Sequence, residues 1–231
     1  MQMEWKNVKL LLRQNKLIAC VVALCICLVL EIGIFTYLLC RTTPVALQDS
    51  TVPIIYDTPR TIIHEFPPYY YQFDDRWASQ EYAGATIEKS GCGLCAAASA
   101  LSFYTQQSIT PMDLYNQVGS SCTINGVNDM RLFLEYFSKQ YDIKHSDIYW
   151  LKDEAYEALN SGLLVFAGVN GQIGPEYYTG HIVLLWKQYG HINVMDSASE
   201  TFGGMTDEEF FESDFVYFYS MNGPVDVQFY N

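Results

Sequence analysis

The longest apolar stretch of the chain lies near its N-terminus, where residues 17–39 are interrupted only by Glu31 and Thr36. A stretch of this length spans the ~30 Å hydrocarbon core of a bilayer as one helix. Four Lys or Arg residues precede it and only Arg41 follows closely, a bias that places the N-terminus in the cytoplasm and the rest outside. A cleaved signal peptide with residues 17–30 as its apolar region is the alternative. Because no small-x-small cleavage site follows, the pattern favours an uncleaved single-pass anchor.

Helical signals come next in the chain, after a Thr- and Pro-containing linker over residues 40–66. Small residues behind Cys92 predict one helix, and Thr110 followed by Pro111 supplies the N-cap and first-turn proline of another. Apolar residues at helical spacing predict a third, and a fourth is short. The predicted helices cover residues 92–106, 110–118, 127–140 and 153–160.

Strand signals dominate after Gly162, where apolar and β-branched runs are bounded by Gly and Asn. A brief helix is predicted over residues 206–213. The predicted strands cover residues 163–169, 181–187, 192–196, 215–221 and 225–230. Helices first and strands afterwards are typical of an α+β domain, in which the helix that begins at Cys92 packs on an antiparallel sheet.

The distribution of charged residues limits the kinds of molecule that the chain can bind. The net charge of −13 is unevenly distributed, because residues 42–231 hold eight basic residues against twenty-four acidic ones. A body this acidic repels phosphate backbones and excludes nucleic-acid binding. Its acidity has two interpretations, solubility and affinity for a basic substrate.

Three cysteines, Cys92, Cys95 and Cys122, lie outside the apolar N-terminal region. The first opens a helix, where the macrodipole and unpaired N–H groups favour thiolate over thiol. A buried cysteine in an Ala-rich helix is more often a small apolar residue, so this position alone does not establish a nucleophile. No cysteine pair has a partner at zinc-binding spacing, so no metal or other cofactor is expected.

A base for such a thiol is found in Gly180-His181, which begins a predicted strand, and an orienting carboxylate in Asp196, which ends the next. A nucleophilic cysteine needs both groups. If the connecting turn centres on Gln188 and Tyr189, residues 181 and 196 lie directly opposite each other. Their Cβ atoms would then be about 4.5–5.5 Å apart on one face of the sheet.

Several ordered motifs, with these residues, resemble the C39-like peptidase family, whose members have a papain-like fold. The matching motifs are Tyr70-x-Gln72-x-Asp74-x-x-Trp77-Ala78, Tyr82-x-Gly84, Ile87, Ser90-Gly91-Cys92-Gly93-Leu94, Gly180-His181 and Asp196. The resemblance covers roughly residues 69–220. It implies Cys92 as nucleophile, His181 as general base and then acid, and Asp196 as its orienter. Gln72 would donate to the oxyanion alongside the Cys92 backbone N–H.

One departure from the family pattern concerns Leu94 and Cys95, where similar sequences have a proline and then a small residue. Cys95 has three interpretations: it packs inertly, it forms a disulfide with Cys122, or it captures an oxidised Cys92 as a disulfide. Asp74 and Trp77 belong to the family signature and are interpreted as stabilising the fold.

The sequence therefore predicts four regions: a cytoplasmic segment over residues 1–16, an anchor over 17–39, a stalk over 40–66 and a peptidase domain over 67–231. The predicted protein is an extracytoplasmic cysteine peptidase, held at the cell membrane, that hydrolyses amide bonds in peptides or proteins through an acyl-enzyme. A peptidoglycan amidase or transpeptidase of the same fold, and a papain-like binding module without turnover, are the alternatives.

Overall fold

A computed structural model describes residues 64–223 of the chain. The predicted cytoplasmic segment, the predicted anchor over residues 17–39 and the predicted strand over residues 225–230 lie outside these residues, as does the stalk up to residue 63. Within residues 64–223, no helix combines the length and the hydropathy needed to cross a bilayer.

The described part mixes helices with antiparallel sheets, as the order of the sequence patterns predicts. Its helices are α1 Ile87–Ser90, α2 Cys92–Thr105, α3 Pro111–Val118, α4 Met130–Tyr141, α5 Lys152–Asn160 and α6 Asp207–Glu212. Its strands are β1 Glu81–Tyr82, β2 Ala85–Thr86, β3 Thr123–Ile124, β4 Val127–Asn128, β5 Lys144–His145, β6 Leu164–Ile173, β7 Glu176–Gln188, β8 His191–Met195, β9 Gly204–Met205 and β10 Phe215–Asn222.

Six strands form one antiparallel sheet in the order β5-β10-β6-β7-β8-β9, and β1-β2 and β3-β4 are separate hairpins. Side chains alternate between the two faces of a sheet, and both faces here are buried. Phe166 and Leu184 join a core with α2, α3 and α4, whereas Val165 and Leu185 join a second core with α5 and α6. The nucleophile candidate thus sits on a helix packed against the middle of the sheet.

Helix α2 is the central helix of the first core, since its residues from Gly93 to Tyr104 are all buried. A helix that is apolar all round is a core helix, and its run of alanines lets neighbouring elements approach closely. Apart from the start of α4, the predicted helix ends are correct within one residue, and local caps explain several of them. Thr110, for example, accepts from the Asp113 N–H while the Asp113 carboxylate accepts from the Thr110 N–H.

Helix α4 begins three residues later than predicted. Residues 127 and 128 form β4, which pairs with β3 across an Asn125-Gly126 turn, a dipeptide that favours two-residue hairpins. The Asp129 side chain then caps the helix by accepting from the Arg131 and Leu132 N–H groups. The apolar spacing alone did not reveal this hairpin.

The predicted pairing of residues 181 and 196 is wrong by two residues. Strands β7 and β8 pair Gln188 with His191 and Leu184 with Met195, so the turn centres on Tyr189 and Gly190. Both turn residues have positive φ, of 53° and 75°, as a tight hairpin turn of this length requires. A shift of two preserves the face on which each side chain lies, because the side-chain period is two.

His181 does not begin its strand, as predicted, but lies inside β7 next to a β-bulge. It pairs with Val169, whereas Thr179 pairs with Asn170, which leaves Gly180 as an extra residue. Gly180 has φ of +92°, a conformation that glycine adopts without strain. Bulges commonly re-aim a side chain beside a functional site.

Candidate active site

Cys92 is the first residue of α2 and is partly exposed. No side chain caps this end of the helix, so the sulfur lies where a helix presents backbone N–H groups and a partial positive charge. The next residue must be small, because a Cβ on Gly93 would lie 2.6 Å from the Cβ of Asn128. The helix therefore presents the thiol on a rigid element.

His181 and Asp196 form a buried pair. The His181 Nε2 atom lies 2.8 Å from Asp196 Oδ1, and the two residues are 7% and 0% exposed. The carboxylate also accepts from the Tyr178 hydroxyl at 2.8 Å and from the Ala198 N–H at 2.9 Å. Three donors around one buried carboxylate satisfy it and fix its orientation.

His181 also lies near Cys92, whose side chain helps to raise the pKa of the imidazole. Because Asp196 occupies Nε2, Nδ1 is the ring nitrogen left for the sulfur. Burial lowers the pKa of His181, but the hydrogen bond to Asp196 and the nearby Cys92 side chain outweigh burial and raise it to about 9. The arrangement favours a protonated imidazole between Asp196 and Cys92.

Tyr178, which the sequence patterns did not single out, contacts both members of the His181–Asp196 pair. Its ring stacks on the His181 imidazole with centroids 4.1 Å apart and an angle of 24° between the rings. Burial, and next the hydrogen bond to Asp196, raise the pKa of its hydroxyl, so Tyr178 keeps its proton and remains a donor. The residue positions the His181–Asp196 pair and shields one face of the imidazole.

The Gln72 side chain forms hydrogen bonds with two segments beside the site, one before Cys92 and one after Asp196. Its Nε2 donates to Glu88 O at 2.6 Å, close to the start of α2 in sequence, and its Oε1 accepts from the Ser197 hydroxyl at 3.0 Å. The second hydrogen on Nε2 has no acceptor among residues 64–223. Its role toward an oxyanion stays a prediction, with one N–H left to perform it.

Asn128 is a second residue that sequence reasoning missed. Its Nδ2 donates to Ser90 O at 2.7 Å and lies 3.7 Å from the Cys92 sulfur, while its Oδ1 accepts from the Tyr82 hydroxyl at 2.7 Å. The only sequence signal near it is the Asn125-Gly126 turn, which predicts a hairpin but not what the hairpin touches. Asn128 thus presents a fixed donor to the nucleophile candidate.

Cys95 and Cys122 are free, buried thiols, so no disulfide joins them in the described residues. Burial raises the pKa of both, that of Cys122 to about 11 and that of Cys95 well above its usual value. The structure describes Cys95 as a buried, packed thiol without a disulfide to Cys122, and capture of an oxidised Cys92 stays a prediction. Among residues 64–223, no three His, Cys, Asp or Glu side chains are grouped as a metal site.

The chain is similar to several solved structures. No protein-family model matches the sequence, and no curated protein matches it significantly. Among solved structures, a double glycine motif protease from an AMS/PCAT transporter, in complex with the leader peptide, is similar with a TM-score of 0.43 and 16% identity, over 68% of this chain and 91% of that chain. A variant of the Salmonella effector SpvD gives a TM-score of 0.36 and 14% identity, over 63% and 70%. Similarities at this level support no argument about the activity of this chain.

Proposed function

We propose that the protein is a cysteine peptidase with a papain-like arrangement of Cys92, His181 and Asp196. The observation that carries the proposal is the position of His181, which lies near Cys92 and pairs with the buried Asp196 carboxylate at 2.8 Å. Covalent amide hydrolysis requires a nucleophile that lies beside a base, and an orienting group on the far side of that base.

In the proposed reaction the Cys92 thiolate attacks an amide carbonyl carbon and forms a C–S bond. The negative charge moves to the carbonyl oxygen, where the Cys92 backbone N–H and the remaining Gln72 N–H would stabilise it. The oxyanion collapses, the C–N bond breaks and His181 gives its proton to the leaving amine. His181 then takes a proton from water, whose oxygen attacks the acyl carbon, and the thiolate leaves as the carboxylic acid forms.

The raised pKa of His181, about 9, fits the step in which His181 protonates the leaving amine. A protonated imidazole at neutral pH is available as the acid that the amine leaving group needs. Because that acid is lost as the pH rises through about 9, amide cleavage is expected to decline over that range. Asp196 holds the ring in place throughout.

The proposal is tested by alkylating the full-length chain with iodoacetamide in mild detergent from about pH 4 to 9, and following each cysteine peptide by mass. Cys92 is expected to label rapidly near pH 5–6, well below the free-thiol pKa of about 8.5. Cys95 and Cys122 provide internal controls in the same molecules, because burial raises their pKa and should keep their labelling slow.

Labelling of Cys92 that rises only near pH 8.5 would contradict the proposal and leave the binding-module alternative. If Cys92 is activated, unfolded protein substrates and peptidoglycan fragments should be compared directly. Cleavage of the wall fragments alone would favour the amidase or transpeptidase alternative.

We further propose that residues 17–39 anchor the protein with its peptidase domain outside the cell membrane. The support is the length of the apolar stretch and the Lys and Arg residues before it. In intact cells that express the full chain, a charged, membrane-impermeant maleimide is expected to label Cys92 before lysis. Labelling only after lysis would place the domain on the other side and contradict this orientation.

A further inference from the structure

An open groove lies beside the candidate nucleophile, between the β3-β4 hairpin and the edge of the large sheet. It has a volume of about 340 Å³, near the lower end of the roughly 300–1,000 Å³ typical of small-ligand pockets. We call it the hairpin groove. Its lining includes Ile124, Val127, Asn128, Trp150, Tyr217 and Tyr219.

The hairpin groove exposes large apolar side chains to solvent. Ile124 and Val127, which pair directly across the hairpin, are 49% and 66% exposed, and Trp150 is 66% exposed. Scattered single apolar residues on a surface are ordinary, but a group of them around one concave site indicates binding. These three side chains surround a space that an apolar group could fill.

The walls of the groove are held in place before anything binds. Tyr217 and Tyr219 contact each other edge to face, with ring centroids 5.9 Å apart. On the hairpin side, the Tyr82 hydroxyl and Ser90 carbonyl fix the Asn128 amide. A preformed site loses less conformational entropy on binding than one that must be ordered.

A single side chain, that of Asn128, lies between the groove and the nucleophile. Asn128 lines the groove and its Nδ2 lies 3.7 Å from the Cys92 sulfur. Burial, and next the charge of Cys92, raise the pKa of Tyr217, another lining residue, to about 12. A substrate carbonyl at Cys92 therefore has the groove beside its neighbouring residues.

The charge of the lining excludes one class of side chain. Asp129 is the charged residue among those that line the groove, and its carboxylate already accepts the Arg131 and Leu132 N–H groups as the cap of α4. An acidic side chain would meet this carboxylate, and the nearby Arg131 guanidinium is already paired with Asp129 at 3.4 Å and with Glu135 at 2.6 Å. Burying a further, unpaired charge is costly. A glycine would leave the apolar walls exposed to water.

We propose that the hairpin groove is the subsite for a bulky aliphatic or aromatic side chain of the substrate, one or two residues from the scissile bond. This inference rests on the proposed peptidase function and adds a preference to it. The protein would cleave next to such residues and would discriminate against glycine and acidic residues at the same position.

The test uses peptide chloromethyl ketones, in which Cys92 displaces chloride and forms a thioether. Acetyl-X-Gly and acetyl-Gly-X reagents, with X as Leu, Phe, Gly or Glu, place the varied side chain at two distances from the reactive carbon. Inactivation of the full-length chain is measured as the second-order rate constant at Cys92. At one of the two positions, Leu or Phe is expected to react at least 10-fold faster than Gly, and Glu slowest.

Val127→Asp is expected to remove this preference, and its iodoacetamide rate is measured separately to report on Cys92 itself. The matched control is Val216→Asp, an exposed valine on β10 that does not line the groove, and it should keep the preference. Trp150→Ala provides a second variant should Val127→Asp unfold, which thermal unfolding will show.

The outcomes separate the two proposals. Rapid iodoacetamide labelling with equal rates for the Leu, Phe and Gly reagents at both positions would overturn the subsite and leave the nucleophile standing. A preference that survives both Val127→Asp and Trp150→Ala would also overturn it. Iodoacetamide labelling of Cys92 that rises only near the free-thiol pKa of about 8.5 would overturn the peptidase proposal. The subsite proposal would fall with it.

Discussion

A His181→Ala chain is expected to alkylate at Cys92 on the order of 100-fold more slowly than the natural chain near pH 6, because a positioned general base or ion-pair partner contributes about 10²–10⁴-fold. The physical reason is that the imidazolium that pairs with the sulfur is removed, so the thiol must lose its proton without a charged neighbour. The measurement is the rate of iodoacetamide labelling of the Cys92 peptide across pH. The profile should move toward that of an ordinary thiol.

His191→Ala is the matched control, because His191 is exposed at the start of β8 and lies outside the site. That variant should retain the labelling rate and pH profile of the natural chain. If both histidine variants label alike, His181 has no effect on the Cys92 sulfur and the triad assignment is wrong.

Replacing Asp196 with alanine is expected to lower the free energy of unfolding by about 3–5 kcal/mol, the usual cost of removing one member of a buried charged pair. The substitution leaves His181, the Tyr178 hydroxyl and the Ala198 N–H without their shared acceptor. It should also slow Cys92 labelling, since the imidazole loses both its orientation and the charge that helps to raise its pKa. Urea unfolding of the full chain measures the first effect.

Asp74→Ala is the comparison for stability. The sequence interprets Asp74 as stabilising the fold, but its carboxylate forms an ion pair with Arg76 at the surface, so a much smaller effect is expected. Exposed pairs contribute about 0–1 kcal/mol. Asp196→Asn separates charge from shape, because it keeps an acceptor for His181 while removing the negative charge. A variant Asp196→Ala as stable as Asp74→Ala would show that the carboxylate is not the anchor that its three hydrogen bonds indicate.

The helices, and the order of helices and strands along the chain, could be predicted because the sequence signals for them are local. Thr110 with Asp113, and Thr206 with Glu209, form capping boxes within three residues of each other. The β7-β8 register was harder, because the sequence Gln188-Tyr189-Gly190 allows two positions for the turn. Tyr189 adopts positive φ beside Gly190, which a preference for glycine alone does not predict.

The three proposed catalytic residues were found because each lies in a recognisable local context, whereas Tyr178 and Asn128 were not. Tyr178 meets His181 only because the extra residue at Gly180 shifts the strand pairing. Asn128 reaches Cys92 across 36 residues of chain, through a hairpin whose docking depends on Tyr82. Contacts of this kind follow from tertiary packing, which no spacing in one sequence reveals.

The two hydrogen bonds that hold Asn128 have an electrostatic consequence. A carboxamide is a dipole with a positive NH₂ end and a negative oxygen end. Tyr82 donates to the oxygen and the Ser90 carbonyl accepts from the nitrogen, so reversing the amide would set its oxygen against a carbonyl oxygen. The positive end is thereby locked toward the sulfur of Cys92. The polarity met by the attacking atom is thus decided partly by a tyrosine and a carbonyl that never touch the substrate.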